Sequence, residues 1–257
     1  MGLNRKGLQI GNTLGFIFTL VMNSLGGSGL LFNNTIGGVS ETYSNLFTPA
    51  GLTFSIWGVI YLLLGLFIIY QARGLFKEKE EDKQFVEDIG YFFILISIWN
   101  PLWLIFWLAE LILLSLIVML LLLVSLILLY LKINRTENKF SSEQKFFVNL
   151  PFSLYLGWIS IATIANVTIY LVSIEWNGFG LSPILWTVLI IIVALVLTSA
   201  VLITQADVAY ASVYIWALIG IIIKQVGSYP SIVLTCVIAI IIVSIEIGVV
   251  IVKKKLK

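Results

Sequence analysis

From Gly90 to Leu131 the chain reads GYFFILISIWNPLWLIFWLAELILLSLIVMLLLLVSLILLYL, and the only charge in these 42 residues is Glu110. As a helix this run would extend about 63 Å at 1.5 Å per residue, twice the roughly 30 Å of hydrocarbon in a bilayer. It must therefore be two spans joined by a tight turn between Trp107 and Leu111, with Glu110 placed where water begins.

Working outward with the same length rule, about 20 apolar residues bounded by charge, Pro, Gly or Asn, predicts spans at 9–32, 53–72, 90–109, 111–131, 148–172, 183–203, 208–225 and 231–252. The whole chain agrees: of 257 residues 60% are hydrophobic and 11% charged, with a mean hydropathy of +1.08. A soluble domain carries about a quarter charged residues to solvate its surface. The expectation is an all-α integral membrane protein of about eight helices. The first span follows Arg5 and Lys6 as a signal peptide would, but Gly11, Asn12 and Gly15 interrupt the apolar stretch, which favours a retained helix.

Composition also removes whole classes of chemistry. With no histidine and one cysteine, Cys236, the chain builds no Ser-His-Asp triad, no Cys-His dyad, no histidine-ligated metal and no internal disulfide. We expect no catalytic residue, no metal site and no required cofactor. Fourteen of the fifteen Lys and Arg lie in the N-terminus (Arg5, Lys6), the 73–89 loop (Arg73, Lys77, Lys79, Lys83), the 132–147 loop (Lys132, Arg135, Lys139, Lys145) and the tail (Lys253, Lys254, Lys255, Lys257). With eight spans all four places fall on one side, which the positive-inside rule makes cytoplasmic, termini included. Only Lys224 falls elsewhere. Orientation accounts for the basic clusters, and Glu78, Glu80, Glu81, Asp82, Glu87 and Asp88 balance the 73–89 loop, so no nucleic-acid footprint remains.

Three spans carry polar and aromatic residues at helical spacing. Phe54, Trp57, Tyr61 and Gly65 share one face of the second, Asn100, Trp103 and Trp107 one face of the third, and Tyr155, Trp158, Ala162 and Asn166 one face of the fifth. An Asn amide needs partners in hydrocarbon, so these faces should look into the bundle and carry their indoles with them. Spacing alone leaves two readings open: a flat-walled aromatic cavity, or aromatic rings packed against small residues such as Ala162 and Gly65.

Asn100-Pro-Leu-Trp-Leu-Ile-Phe-Trp107 resembles the N-x-x-W-x-x-x-F element of the tryptophan-rich sensory proteins, the TspO/MBR family that includes the translocator protein and peripheral benzodiazepine receptor. Tyr155-Leu-Gly-Trp158 through Ala162 to Asn166 is similar to its P-Y-x-x-W-x-x-x-A-x-x-x-N helix, with Leu154 at the proline position and Pro151 upstream. Trp57 to Tyr61 resembles its V-W-x-x-x-Y segment, and Tyr43, Leu46 and Pro49 its Y-x-x-L-x-x-P loop, where Thr42 and Thr48 replace the usual Trp and Lys. Together these cover roughly Gly11 to Tyr170. The loop after Pro49 is about five residues shorter than the family pattern, lacking its second Trp and its Pro pair.

The resemblance implies a five-helix bundle over residues 1–173, with residues 174–257 as a three-helix extension that it does not explain. It implies a receptor, sensor or transporter-like protein of a bacterial-type plasma membrane, binding a porphyrin or other tetrapyrrole, or a sterol-like molecule. It also admits porphyrin breakdown and a homodimer. Carried over position by position, Trp57, Asn100, Trp103 and Trp158 would line the pocket, with Tyr61, Phe106, Tyr155, Ala162 and Asn166 beside them. The competing reading is a small proton- or ion-coupled transporter working through Asp207 and Glu246, though no repeat relates the two halves of the chain. Asp207 opens the seventh span, where a carboxylate caps free N–H groups, and Glu246 lies inside the eighth, free to snorkel, to pair or to serve a pathway. Gly11 and Gly15 form a G-x-x-x-G packing signal.

Overall fold

The structure, a computed structural model, describes residues 4–76, 83–136 and 140–256. Lys77, Lys79, Lys139 and Lys257 of the orientation argument, with Glu78, Glu80, Glu81 and Asp82, lie outside the described residues, as do the side chains of Lys83 and Lys255. The described chain is helical, in eight apolar helices that we number α1 (Arg5–Gly27), α2 (Ile56–Phe76), α3 (Phe92–Leu108), α4 (Ile112–Thr136), α5 (Leu150–Ser173), α6 (Pro183–Gln205), α7 (Val208–Gln225) and α8 (Pro230–Lys255). Seven of these, counting the turn that leads into α2, are long and apolar enough to cross a membrane; α3, at 17 residues, is the short one. Its roughly 25 Å of helix falls about 5 Å short of a hydrocarbon core of about 30 Å, a mismatch that local thinning of the bilayer absorbs at modest cost.

Helix ends follow local chemistry. Asn4 caps α1 by accepting from the Gly7 amide at 2.8 Å, and α1 stops at Gly27 because Gly29, Phe32 and Asn33 take positive φ. The first helix is thus displaced toward the N-terminus from the predicted 9–32. Ser182 caps α6 and Asp207 caps α7, while Pro183 and Pro230 occupy first-turn positions where a missing N–H costs nothing. The α3–α4 turn runs through Glu110 at φ 57°, where the undivided apolar run was expected to break.

Pro101 sits inside α3 without ending it. Having no N–H, it leaves the Ser97 carbonyl one turn earlier without its helical partner. The buried Thr19 hydroxyl of α1 approaches that oxygen at 3.3 Å. Close packing brings it there: a Cβ on Gly15 would stand 2.8 Å from the Ser97 Cβ, and one on Gly11 would stand 2.7 Å from Ile94 Cδ1. The G-x-x-x-G is therefore the seam of α1 on α3. Nearby, the Gln9 side chain donates to the Gln71 backbone carbonyl at 2.8 Å and Asn12 to the Gln71 side chain at 3.0 Å, a buried polar clasp between α1 and α2.

Helices α1 to α5 surround one hydrophobic cluster and α6 to α8 another, with α5 packed on α7 at the junction. The clusters interlock. Phe47 and Ile161 are buried among the C-terminal helices, while Tyr210 and Val213 of α7 belong to the first cluster. Leu14, Ile17, Phe18 and Val21 of α1 and Leu189, Ile192, Val193 and Val196 of α6 stand exposed, whereas Asn12, Gln71, Asn100 and Asn166 are buried. Apolar outside and polar inside is the arrangement of a bundle solvated by lipid.

Candidate functional site

The aromatic faces predicted on the second, third and fifth spans meet at one end of the bundle. Trp57 of α2 is their hub, stacked on Tyr61 at 5.4 Å between ring centres, tilted on Trp103 of α3 at 6.2 Å, and edge-on to Tyr155 and Trp158 of α5 at 5.8 and 6.2 Å. Phe54 adds an edge contact to Trp158 at 6.0 Å, and Trp107 stacks on Trp103 at 5.7 Å.

Two hydrogen-bond chains hold these rings. Deeper in the bundle, Asn23 of α1 donates to Asn100 Oδ1 at 2.7 Å, and Asn100 Nδ2 donates to the Tyr155 hydroxyl oxygen at 2.9 Å. The Tyr61 hydroxyl lies beside these amides but makes no hydrogen bond of good geometry. Nearer the cavity, Trp103 Nε1 donates to Asn166 Oδ1 at 3.1 Å, and Asn166 Nδ2 donates to Ser115 Oγ of α4 at 3.2 Å. Both Asn faces do look inward, and the amides tie four helices together. Asn23 and Ser115 went unnoticed in the sequence because an isolated Asn or Ser in a span has no spacing pattern to mark it.

A cavity of about 30 Å³ lies among Trp57, Trp103, Trp107, Trp158, Ala162 and Asn166, roofed by Ile36, Ser40, Thr48, Pro49 and Phe54. Of the residues singled out from sequence, Trp57, Trp103, Trp158, Ala162 and Asn166 line it. Tyr61, Asn100 and Tyr155 stand behind that wall in the ring and hydrogen-bond layers, and Phe106 is half-buried in the surrounding core without lining the cavity. A volume of this size holds about two waters, whereas pockets for drug-sized ligands span about 300–1,000 Å³. The site is therefore closed. The cavity wall has no ionisable side chain, and among the described residues no three His, Cys, Asp or Glu come together as metal ligands. What the wall offers is ring faces and a few neutral polar groups.

The roof is the segment between α1 and α2, with a short helix at Ile36–Thr42 and a turn at Gly51–Ser55. One edge is tied to α3 and the turn after it. Trp107 Nε1 donates to the Ile36 carbonyl at 3.1 Å, Asn34 to the Leu108 carbonyl at 3.0 Å, and the Tyr43 hydroxyl to Glu110 at 3.3 Å. Burial, and then the Glu110 charge, push the Tyr43 hydroxyl above the ordinary tyrosine range, so this contact persists in neutral and mildly alkaline water.

The other edge is tied to α7. Ala50 N–H donates to the Gly220 carbonyl at 3.0 Å, Trp216 Nε1 to the Thr53 carbonyl at 2.9 Å, and Gln225 Nε2 to the Leu46 carbonyl at 2.8 Å. Gly220 makes the approach possible, because a Cβ there would run into Thr53 and Pro49. Asn45 folds the loop for this docking by accepting from the Phe47 and Thr48 amides at 3.0 and 2.8 Å. The opposite end of α7 is anchored as well. Asp207 accepts from the Tyr210 amide at 3.0 Å as a cap, and its second oxygen accepts from Tyr130 at 2.8 Å and Ser153 at 2.6 Å. Glu246 accepts from Ser199 at 2.8 Å.

No curated protein and no solved structure matches the chain. The TSPO-like protein family matches residues 9–249, through the aromatic bundle and on across α6, α7 and most of α8. With helices, aromatic cluster and roofed cavity all inside that match, the chain belongs to the TSPO-like protein family.

Proposed function

We propose that this membrane protein is a receptor or sensor that admits flat hydrophobic ligands, of tetrapyrrole or sterol-like shape, into the aromatic cavity among α2, α3 and α5. The observation that carries the reading is the wall itself: four indoles converge from three helices around an uncharged space, with Ala162 leaving room beside them. Planar apolar molecules gain from such surfaces by dehydration and ring contact. Because the cavity is closed, binding requires the roof to lift, and the roof is fastened to α7. This gives the C-terminal helices a part in the same function, as the support that sets how readily the site opens. The Lys and Arg distribution orients the termini to the cytoplasm and the roof to the outer face. Coupled transport through Asp207 and Glu246 gains no support, since one carboxylate caps a helix and the other is held by a serine.

Saturable quenching of tryptophan fluorescence by protoporphyrin IX, in lipid nanodiscs, tests the site. Trp57→Leu removes the ring at the hub and should weaken binding about tenfold, the equivalent of about 1.4 kcal/mol. Trp186→Leu should change it less than about twofold, because Trp186 donates to the Gly178 carbonyl at 2.6 Å and does not line the cavity. Normal binding by Trp57→Leu together with loss in Trp186→Leu would move the site out of the bundle and sink the reading.

A further inference from the structure

At the end of the bundle away from the roof, the segment that leads into α3 folds as a short helix, Lys83–Ile89. Phe85, Val86 and Ile89 pin it to the core, while Glu87 stays exposed. Gly90, at φ 51°, then turns the chain into α3, a conformation that favours glycine. Leu8 of α1 and Lys132 of α4 face this turn across a cavity of about 430 Å³, more than ten times the space under the roof. Its volume falls in the range of small-molecule sites. Glu87, Tyr91, Leu95 and Lys132 of its lining are exposed, so it is an open recess and not an enclosed void.

The lining is layered along the helix axes. Glu87, Tyr91 and Lys132 form the mouth, with the Lys132 ammonium 5.5 Å from the centre of the Phe92 ring, where the ring face attracts it. Leu95 lies a helical turn further in from Phe92, and Leu8 a turn in from the start of α1. Ile98 of α3 and Leu128 of α4, each one turn deeper again than Leu95 and Lys132, are exposed and apolar, and carry the same surface on along the bundle. A mouth with charge of both signs above an apolar track has the polarity profile of a lipid molecule. Two flanking residues repeat the pattern of charge without lining the cavity. Arg5, one turn before Leu8, has Nε and Nη2 buried without a hydrogen-bond partner, and so has Asp88, next to Glu87, its Oδ2.

We propose that this recess holds a phospholipid of the adjoining leaflet whose head group is a zwitterion with a primary amine, the chemistry of phosphatidylethanolamine. Its phosphate meets Lys132, its ammonium meets Glu87, and one acyl chain lies over Leu8 and Leu95 and on along Ile98 and Leu128. A mouth of positive charge alone would select an anionic lipid; the Glu87 carboxylate opposes that and matches a donor instead. A quaternary ammonium has no N–H to give it. A soluble zwitterion would gain nothing from the leucines. The site is separate from the aromatic cavity and independent of what that cavity takes.

Native mass spectrometry of the full chain, released from detergent after titration with one lipid at a time, counts the molecules retained. The probes share palmitoyl and oleoyl chains and carry ethanolamine, choline or glycerol on the phosphate. The ethanolamine lipid should be held about threefold more tightly than either of the others, the size of an exposed ion pair. Glu87→Gln should bring it down to the level of the choline lipid, whose own retention stays the same. Lys132→Gln should weaken all three about threefold. Glu175→Gln, exposed after α5 at the roof end, should alter none of them. Glycerophosphoethanolamine, the head without chains, should fail to displace the lipid at equal concentration. Displacement as effective as by the lipid itself would assign the recess to a soluble zwitterion and overturn the proposal. So would equal retention of the ethanolamine and choline lipids by the unaltered chain, tighter retention of the glycerol lipid, or a preference that survives Glu87→Gln.

Discussion

At the scale of single residues, the structure turns on polar groups that hydrocarbon cannot satisfy. Asn100 and Asn166 were legible because an amide in an apolar run must face protein, and each shares a helix face with tryptophans. Their partners Asn23, Ser115 and Tyr155 became known only when α1, α4 and α5 were set beside them. Thr19 makes the same point in a testable form, because its hydroxyl, bonded at 3.0 Å to the Gly15 carbonyl of its own helix, also reaches the carbonyl that Pro101 leaves free at 3.3 Å. Thr19→Val should destabilise the protein by about 0.5–1.5 kcal/mol. In a Pro101→Ala background, where the restored backbone N–H can bond to the Ser97 carbonyl, the same substitution should cost much less. Thermal unfolding of the two single variants and the double variant in one detergent measures that coupling. Equal cost in both backgrounds would show that Thr19 acts elsewhere.

At the scale of elements, the segment between α1 and α2 is a roof with two fastenings, one to α3 and one to α7. Its length was plain in the sequence, as were Tyr43, Leu46 and Pro49. Its docking was not, since Leu46 and Gln225 are 179 residues apart and no local pattern links a loop carbonyl to a glutamine in a distant span. Gly220 is the most sensitive point, because Gly220→Ala places a methyl group against Thr53 and Pro49. The roof should then ride outward while α7 stays helical, alanine being the better helix former. In a Ser40→Cys background with the buried Cys236 changed to Ser, Gly220→Ala should make the roof cysteine react faster with a small maleimide. An unchanged labelling rate would mean that the α7 fastening does not control opening.

At the scale of the whole molecule, eight crossings by the eight apolar helices of the described residues would bring the N- and C-termini to one face. Lys254 donates to the Ala206 carbonyl at 2.9 Å in the α6–α7 turn, which puts the tail beside the Asp207 end of α7 and away from the roof. Reporter fusions at residues 80, 140 and 257 should accordingly read as cytoplasmic, and fusions at 40 and 178 as external. An external reading at 257 would break the even count of crossings and invert the placement of the α6–α7 turn.

The chain's membrane class, its apolar helices and the inward turn of three aromatic faces were determined by sequence alone, because hydrocarbon permits one solution to each: backbone bonds closed within the helix, charge outside, amides inside. The same logic placed the break at Glu110, inside a run where composition showed no boundary. Only the tertiary structure decided that the cavity is closed, that Asn100 and Tyr155 stand behind its wall, that Asp207 is shared by three helices, and that α7 holds the roof. Each of these depends on which two distant segments touch, and neighbouring spans solvated by the same lipid carry no local signal of their partner. Trp158 shows the divide most clearly: its helix face could be read from spacing, but only the packed bundle leaves its buried N–H without a partner.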